Sequence, residues 1–183
     1  MAKWTKQALK LAEDHSWKAK PGHKIFVADH GAIRFDFPEE WVVDPGSDSV
    51  RFYDRQPPDD NCRLEVSLMR LPPIDWSGLP LSTLIQEVVN GDHRNLAGKG
   101  DIHSVQRLDL ELAWIEVIFM DPAEGREARS RLCLARGSNL QALITLDFWP
   151  EDTAQVSTVW DEVLRSLQLG GYIQDPTQGP FLH

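Results

Sequence analysis

The chain has 183 residues, of which 42 % are hydrophobic, and a formal net charge of −9. A chain of this length buries roughly 70 % of its unfolded surface as one domain and needs no metal or disulfide for stability. The acidic balance repels phosphate backbones, so nucleic acid is not an expected partner, and no window approaches the roughly 18 apolar residues that a membrane span needs.

The first 24 residues carry six lysines against Glu13 and Asp14, a basic segment on an acidic chain. Trp4, Ala8, Leu11 and Ala12 recur at helical spacing while Lys3, Lys6 and Lys10 take the other side, which predicts an amphipathic helix within residues 1–20. Such a helix either docks its Trp4 stripe on its own domain or serves as a basic arm for an acidic partner. No apolar run or small-residue cleavage site follows the lysines, so a cytoplasmic location is expected.

Pro21 and Gly22 end that segment, KIFVAD begins a short strand, and Asp29, His30 and Gly31 turn the chain. In GAIRFDFPEEWVV, Ile33, Phe35 and Phe37 point to one face and Arg34 and Asp36 to the other. Pro38 lacks the amide that a strand ladder uses, so the strand stops there, and Trp41 brings apolar surface back to anchor the turn. SVRFYD resumes the alternation. After RQPPDDN, the run CRLEVSLM sets Cys62, Leu64, Val66 and Leu68 against Arg63, Glu65 and Ser67. These are antiparallel signatures, because parallel strands buried on both faces read as continuously apolar. LPPIDWSGLP then leads to a helix with the stripe Leu81, Leu84, Ile85, Val88 and Val89, ended by Gly91.

The second half repeats the pattern with longer strands, from IHSVQRL through LAWIEVIFM and EARSRLCLAR to LQALITLDFW, joined by short turns. Pro150 stops the last, and Val156, Val159, Trp160, Val163 and Leu167 mark a closing helix with acids at its N-terminus. Residues 170–183 are rich in Gly, Pro and Gln and are expected to form a mobile tail, leaving residues 21–169 as a single domain. Cys62 and Cys133 fall in alternating apolar segments without a CxxC spacing and read as small reduced core residues.

The order of elements, the strand ending FDFPEEW and the closing VWDEVLRSLQL resemble the Mog1/PsbP-like α/β/α sandwich, including the bacterial DUF1795 group, over roughly residues 24–169. The resemblance implies an α+β fold, an antiparallel sheet flanked by helices. Members of that superfamily serve as a Ran-binding factor, as photosystem II extrinsic subunits and as chaperones of secreted effectors, and most are not enzymes. It therefore implies a non-catalytic protein-interaction module, although fold alone does not fix function.

Chemical motifs do not compete with that reading. The six histidines show no HxxxH or HExxH spacing, and the nearest grouping is Asp92, His93, Asp101 and His103 in GDHRNLAGKGDIH. There is no GxSxG elbow, no GxGxxG and no GxxxxGK[ST], so neither a nucleophile, a cofactor nor a phosphate cradle is encoded by a short motif. The polar side of the strands is more informative, carrying Arg34, Asp36, Arg63, Glu65, Glu116, Arg129, Arg131 and Asp147. A helix-covered face cannot hold so many charges, so part of it must be open. Arg63, Glu65, Arg129, Arg131 and Asp147 are the candidate partner-binding residues, with Trp76 of the proline-rich loop beside them. The alternative is a small-molecule binder or hydrolase with a site between the open face and the GDH loop, using His93 or His103.

Overall fold

Period-2 alternation becomes strands and the two apolar stripes become helices in a computed structural model, which describes residues 4–178. In chain order the elements are β1 (His23–Ala28), β2 (Ile33–Pro38), β3 (Val42–Pro45), β4 (Val50–Tyr53), β5 (Cys62–Arg70), α1 (Leu81–Asn90) and β6 (Leu96–Lys99). There follow β7 (His103–Gln106), β8 (Glu111–Asp121), β9 (Arg126–Gly137), β10 (Leu140–Phe148), α2 (Thr153–Ser166) and β11 (Gln168–Leu169). Every strand pairing is antiparallel. The large sheet runs β3-β4-β5-β10-β9-β8-β6, with β7 also paired to β8, and β1-β2-β11 form a separate small sheet. The expected α+β class with an antiparallel sheet and flanking helices is the one observed. The division into two sheets was not expected.

Two apolar layers flank the large sheet. On one side Leu81, Ile85 and Val89 of α1 meet Ala113, Ile115 and Val117 of β8 and Leu132 and Leu134 of β9. On the other, Val156, Trp160 and Val163 of α2, together with Ile33, Phe35 and Phe37 of β2, cover Leu64, Val66, Cys133, Ala142, Ile144 and Leu146. Trp41 is buried in this second core, as its place after the proline stop requires. Both cysteines are buried and free, and they stand opposite Phe148 and Ile144 on either side of β10, too far apart along it to bond.

The N-terminal helix is not formed. Among the described residues of that segment, 4–20, there is no helical turn of α type, while residues 1–3 lie outside the description. The chain instead runs irregularly over its own domain, anchored by Trp4 against the main core and by Trp17, which is buried with its ring beneath the Arg34 guanidinium at 4.6 Å. A lone helix of about a dozen residues is marginal in water, and two indoles set 13 positions apart hold an irregular strap better than one helical stripe. Residues 170–178 also pack back. Ile173 is buried against Gly31 and donates its amide to the His30 carbonyl at 2.7 Å, and Ala12 donates to the Thr177 carbonyl at 2.8 Å. Residues 179–183 of the expected tail lie outside the described residues.

Candidate functional site

The eight charges expected on one face are divided among three places. Arg34 and Asp36 belong to β2 of the small sheet and are covered by the N-terminal strap and the end of α2. Arg129 and Arg131 share the parity of Cys133 and Ala135, so they point to the α2 side of the large sheet, as does Glu116 across the ladder. There both arginines grip Glu116, Arg131 Nε at 2.9 Å and Arg129 Nη1 at 3.2 Å. Arg131 is buried and also donates to Ser157 Oγ of α2 at 2.9 Å. The pair is a clasp between sheet and helix rather than a free cationic surface.

Arg63, Glu65 and Asp147 do lie together on the opposite face. Helix α1 packs on β8 and β9 and reaches β10 at Leu143, and among the described elements no helix covers β4, β5 and the rest of β10 on that side. The open strip presents the cross-strand pair Arg51 and Glu65, 3.3 Å apart, next to Arg63, whose side chain is 44 % exposed. At one end of the strip is the proline-rich loop, tied in by the Leu71 amide on the Asn139 carbonyl, with Met69, Ile74 and Leu79 exposed. Trp76 is half-buried there, its indole N–H donating to the Pro72 carbonyl at 3.1 Å, which makes it in part a brace of its own loop.

At the other end is a cleft of about 720 Å³ between β5, β10 and residues 91–95. Asp147 organises it. Its Oδ2 accepts from Arg63 at 2.8 Å, and its Oδ1 accepts from Ser130 at 2.6 Å and from Arg94 at 3.3 Å. Arg94 also donates to Asp92 at 2.6 Å and lies over the Phe119 ring at 4.3 Å. Burial acts to raise the Asp92 carboxyl, but the bonds from Arg94 outweigh it and hold the group below the usual carboxylate range. Among the described residues that line it, two arginines are matched to two aspartates, which leaves no net charge and no free carboxylate to act as a base. Ser130 is wholly buried and already donates to Asp147, so it is no nucleophile.

His93 lines this cleft, but His103 does not. Its ring stacks on Trp114 at 4.2 Å, on the α2 side of the sheet, so the GDH loop does not gather its two histidines. Part of that loop is strand β6, which sequence reasoning took for irregular chain because Gly98 and Gly100 dilute its alternation. Among the described residues no three His, Cys, Asp or Glu side chains converge as a metal-holding group. Arg94 and Ser130 were missed as site residues. The signal for Arg94 was local, an Asp two positions earlier whose carboxylate takes the Arg94 amide at 3.0 Å.

A family model, Alr1449, matches residues 24–173, a span that runs from β1 to the buried Ile173. The chain belongs to the Alr1449 family. An uncharacterized protein of that name from Nostoc sp. (strain PCC 7120) is 47 % identical over 177 residues, covering 96 % of this chain and 92 % of the relative. Among solved structures, cyanobacterial PsbP (CyanoP) from Synechocystis sp. PCC 6803 superposes with a TM-score of 0.59 at 13 % identity, covering 83 % of this chain and 95 % of that one. LpqN of Mycobacterium tuberculosis, involved in cell envelope biogenesis, gives 0.56 at 13 % identity over 80 % and 89 % of the two chains. A variant of Mog1 gives 0.51 at 12 % identity over 80 % and 95 %. This member of the Alr1449 family therefore has a Mog1/PsbP-like fold. Among its described residues, no helix is long and apolar enough to cross a membrane.

Proposed function

We propose that the chain is a non-catalytic protein-binding module that takes an extended segment of its partner along the open strip of β4, β5 and β10. The observation that carries this reading is the uncovered half of the sheet, where Arg51, Arg63 and Glu65 alternate between an apolar end at Met69 and Ile74 and a polar end at Asp147. Exposed charges of both signs fix register and partner choice more than affinity. Trp76 and the apolar loop supply the surface that a buried anchor of the partner needs. Arg129 and Arg131 stay outside this surface because Glu116 holds them on the other side.

The test is a charge swap that keeps the internal pair, Arg51→Glu with Glu65→Arg. The swapped protein should retain its unfolding midpoint and lose the partners that the tagged wild type co-purifies from its own cell. Retention of all of them would refute the placement on this strip. The volume of the cleft supports a second reading, a small-molecule site at Asp147 and Arg94. Turnover of a substrate by purified protein, lost on His93→Ala, would decide for that reading.

A further inference from the structure

A second hollow, of about 350 Å³, lies on the other side of the molecule, where the strap, β2, β11 and the end of α2 meet. Its walls include Lys18, Arg34, Arg107 and Arg165 against Asp36 and Asp109, and Arg165 is already paired with Glu162 at 2.5 Å, which leaves a small local excess of positive charge on an acidic chain. Among the described residues, neither Arg34 nor Arg107 makes an ion pair. Arg107 spends two N–H groups on the carbonyls of Arg165 and Leu167, both at 2.8 Å, which neutralises the negative end of α2 that would otherwise repel an anion. Arg34 gives one bond to Gln168 at 3.1 Å and keeps a buried Nε–H with no acceptor. Asp36 is only 4 % exposed, and its buried Oδ1 has no donor. A buried donor and a buried acceptor, carried two positions apart on one face of β2 and both unanswered among the described residues, are costly to keep without a ligand that answers both.

A ligand that answers both accepts from arginine and donates to a carboxylate. Hydrogen phosphate has that combination in one small group, whereas sulfate at neutral pH has acceptors only. We propose that this hollow is a binding site for inorganic phosphate, in which Arg34, Lys18 and the remaining donors of Arg107 hold the anionic oxygens and Asp36 accepts the phosphate proton. A monoester at the same pH has lost its second proton and presents Asp36 with no donor, so the free ion is preferred over its esters. The hollow has room for the anion with part of its hydration shell. It is separate from the partner strip, and neither reading depends on the other.

Calorimetric titration of the full chain at about pH 8, above the ordinary carboxylate range, with phosphate, sulfate and glycerol 2-phosphate as separate probes tests the proposal. Phosphate should bind, with sulfate and the ester weaker by about 100-fold or more, since a site built around a ligand proton rejects analogues that lack it. Arg34→Gln should weaken phosphate by about tenfold or more. Asp36→Asn keeps the shape and offers an amide donor, so it should weaken phosphate, strengthen sulfate and close the gap between them. Arg63→Glu, in the other cleft, should leave phosphate affinity as in the wild type. The proposal is overturned if phosphate and sulfate bind the wild type alike, if no phosphate heat appears at millimolar concentrations, if Asp36→Asn leaves the ratio unchanged, or if Arg63→Glu abolishes the heat.

Discussion

Replacing Arg131 by methionine should destabilise the protein by about 2–4 kcal/mol, although a surface arginine on a charged strand would cost almost nothing. Arg131 is 8 % exposed at its side chain and Glu116 is 23 % exposed, so loss of the guanidinium leaves a largely desolvated carboxylate with one remaining partner, Arg129 at 3.2 Å. Removing one member of a buried pair costs about 3–5 kcal/mol. Partial solvation of Glu116 and the retained Arg129 bring the expectation below the top of that range. The lost hydrogen bond to Ser157, whose own hydroxyl donates to the Thr153 carbonyl, loosens the first turn of α2 as well. The same guanidinium stands 5.5 Å from both the Trp114 and Phe148 rings, contacts that methionine replaces only in part. Urea unfolding of Arg131→Met, Glu116→Gln and the double variant forms a cycle in which the coupling should be about 1–3 kcal/mol. A loss below about 1 kcal/mol for Arg131→Met, at an unchanged slope, would show that the clasp is not structural.

Trp160 is fully buried, in edge contact with Trp114 at 5.8 Å between centroids, so Trp160→Ala should cost about 3–5 kcal/mol. Because its indole N–H has no acceptor among the described residues, Trp160→Phe should cost much less, and equal losses in urea unfolding would contradict that account. Burial first, then the nearby Glu162, raises the Asp36 carboxyl against the opposing pull of Arg34, Arg165 and His23, so the unfolded chain gives up this proton at a lower pH than the folded one. The resulting penalty is absent below the unfolded value of about 3.9, grows as pH rises through the raised folded value and is constant above it. Asp36→Asn should therefore stabilise the free protein at neutral pH and lose that advantage in acid, as thermal unfolding across pH would reveal. Glu162 is shifted the opposite way, lowered by its bonds to Arg165 despite burial, and its contribution is lost as pH falls through its depressed value. Gly31→Ala should destabilise by more than about 1 kcal/mol in the same assay, since φ is +92° and an added Cβ would fall 2.7 Å from Ile173 Cγ1.

The parts of the fold legible in the sequence are those where burial is one-sided. In β5 and β10 one face is apolar and the other open over much of its length, so alternation correctly put Arg63, Glu65 and Asp147 on the polar face and Leu64 and Leu146 in the core. In β9 both faces are covered, by α1 and by α2, and RSRLCLAR is apolar on both, so Arg129 and Arg131 carry no mark of which side they take. The parity of Cys133 was the available clue. Pro38 and Trp41 were readable because a missing amide and a large indole act locally. The strap was not, because its conformation is set by where Trp17 and Thr177 happen to meet the domain, which local helical spacing does not encode.

The meeting of the strap with residues 170–178 also bears on how the chain finds its fold. Ala12 and Ser16 donate to carbonyls of Thr177 and Gln178, and β11 pairs with β2, so segments far apart in the sequence close on each other. Such contacts span nearly the whole sequence and carry the largest loop-closure cost, which places them late in folding. They also bring residues 12–16 and 177–178 to one side of the molecule, the kind of arrangement that tolerates circular permutation. A permutant that links residue 178 to residue 4 through a flexible linker and opens the chain in the turn between Asp121 and Gly125 should preserve the native sheet at equilibrium. Folding should slow, because β8 and β9, neighbours joined by that short turn, would then become the most distant partners in the chain.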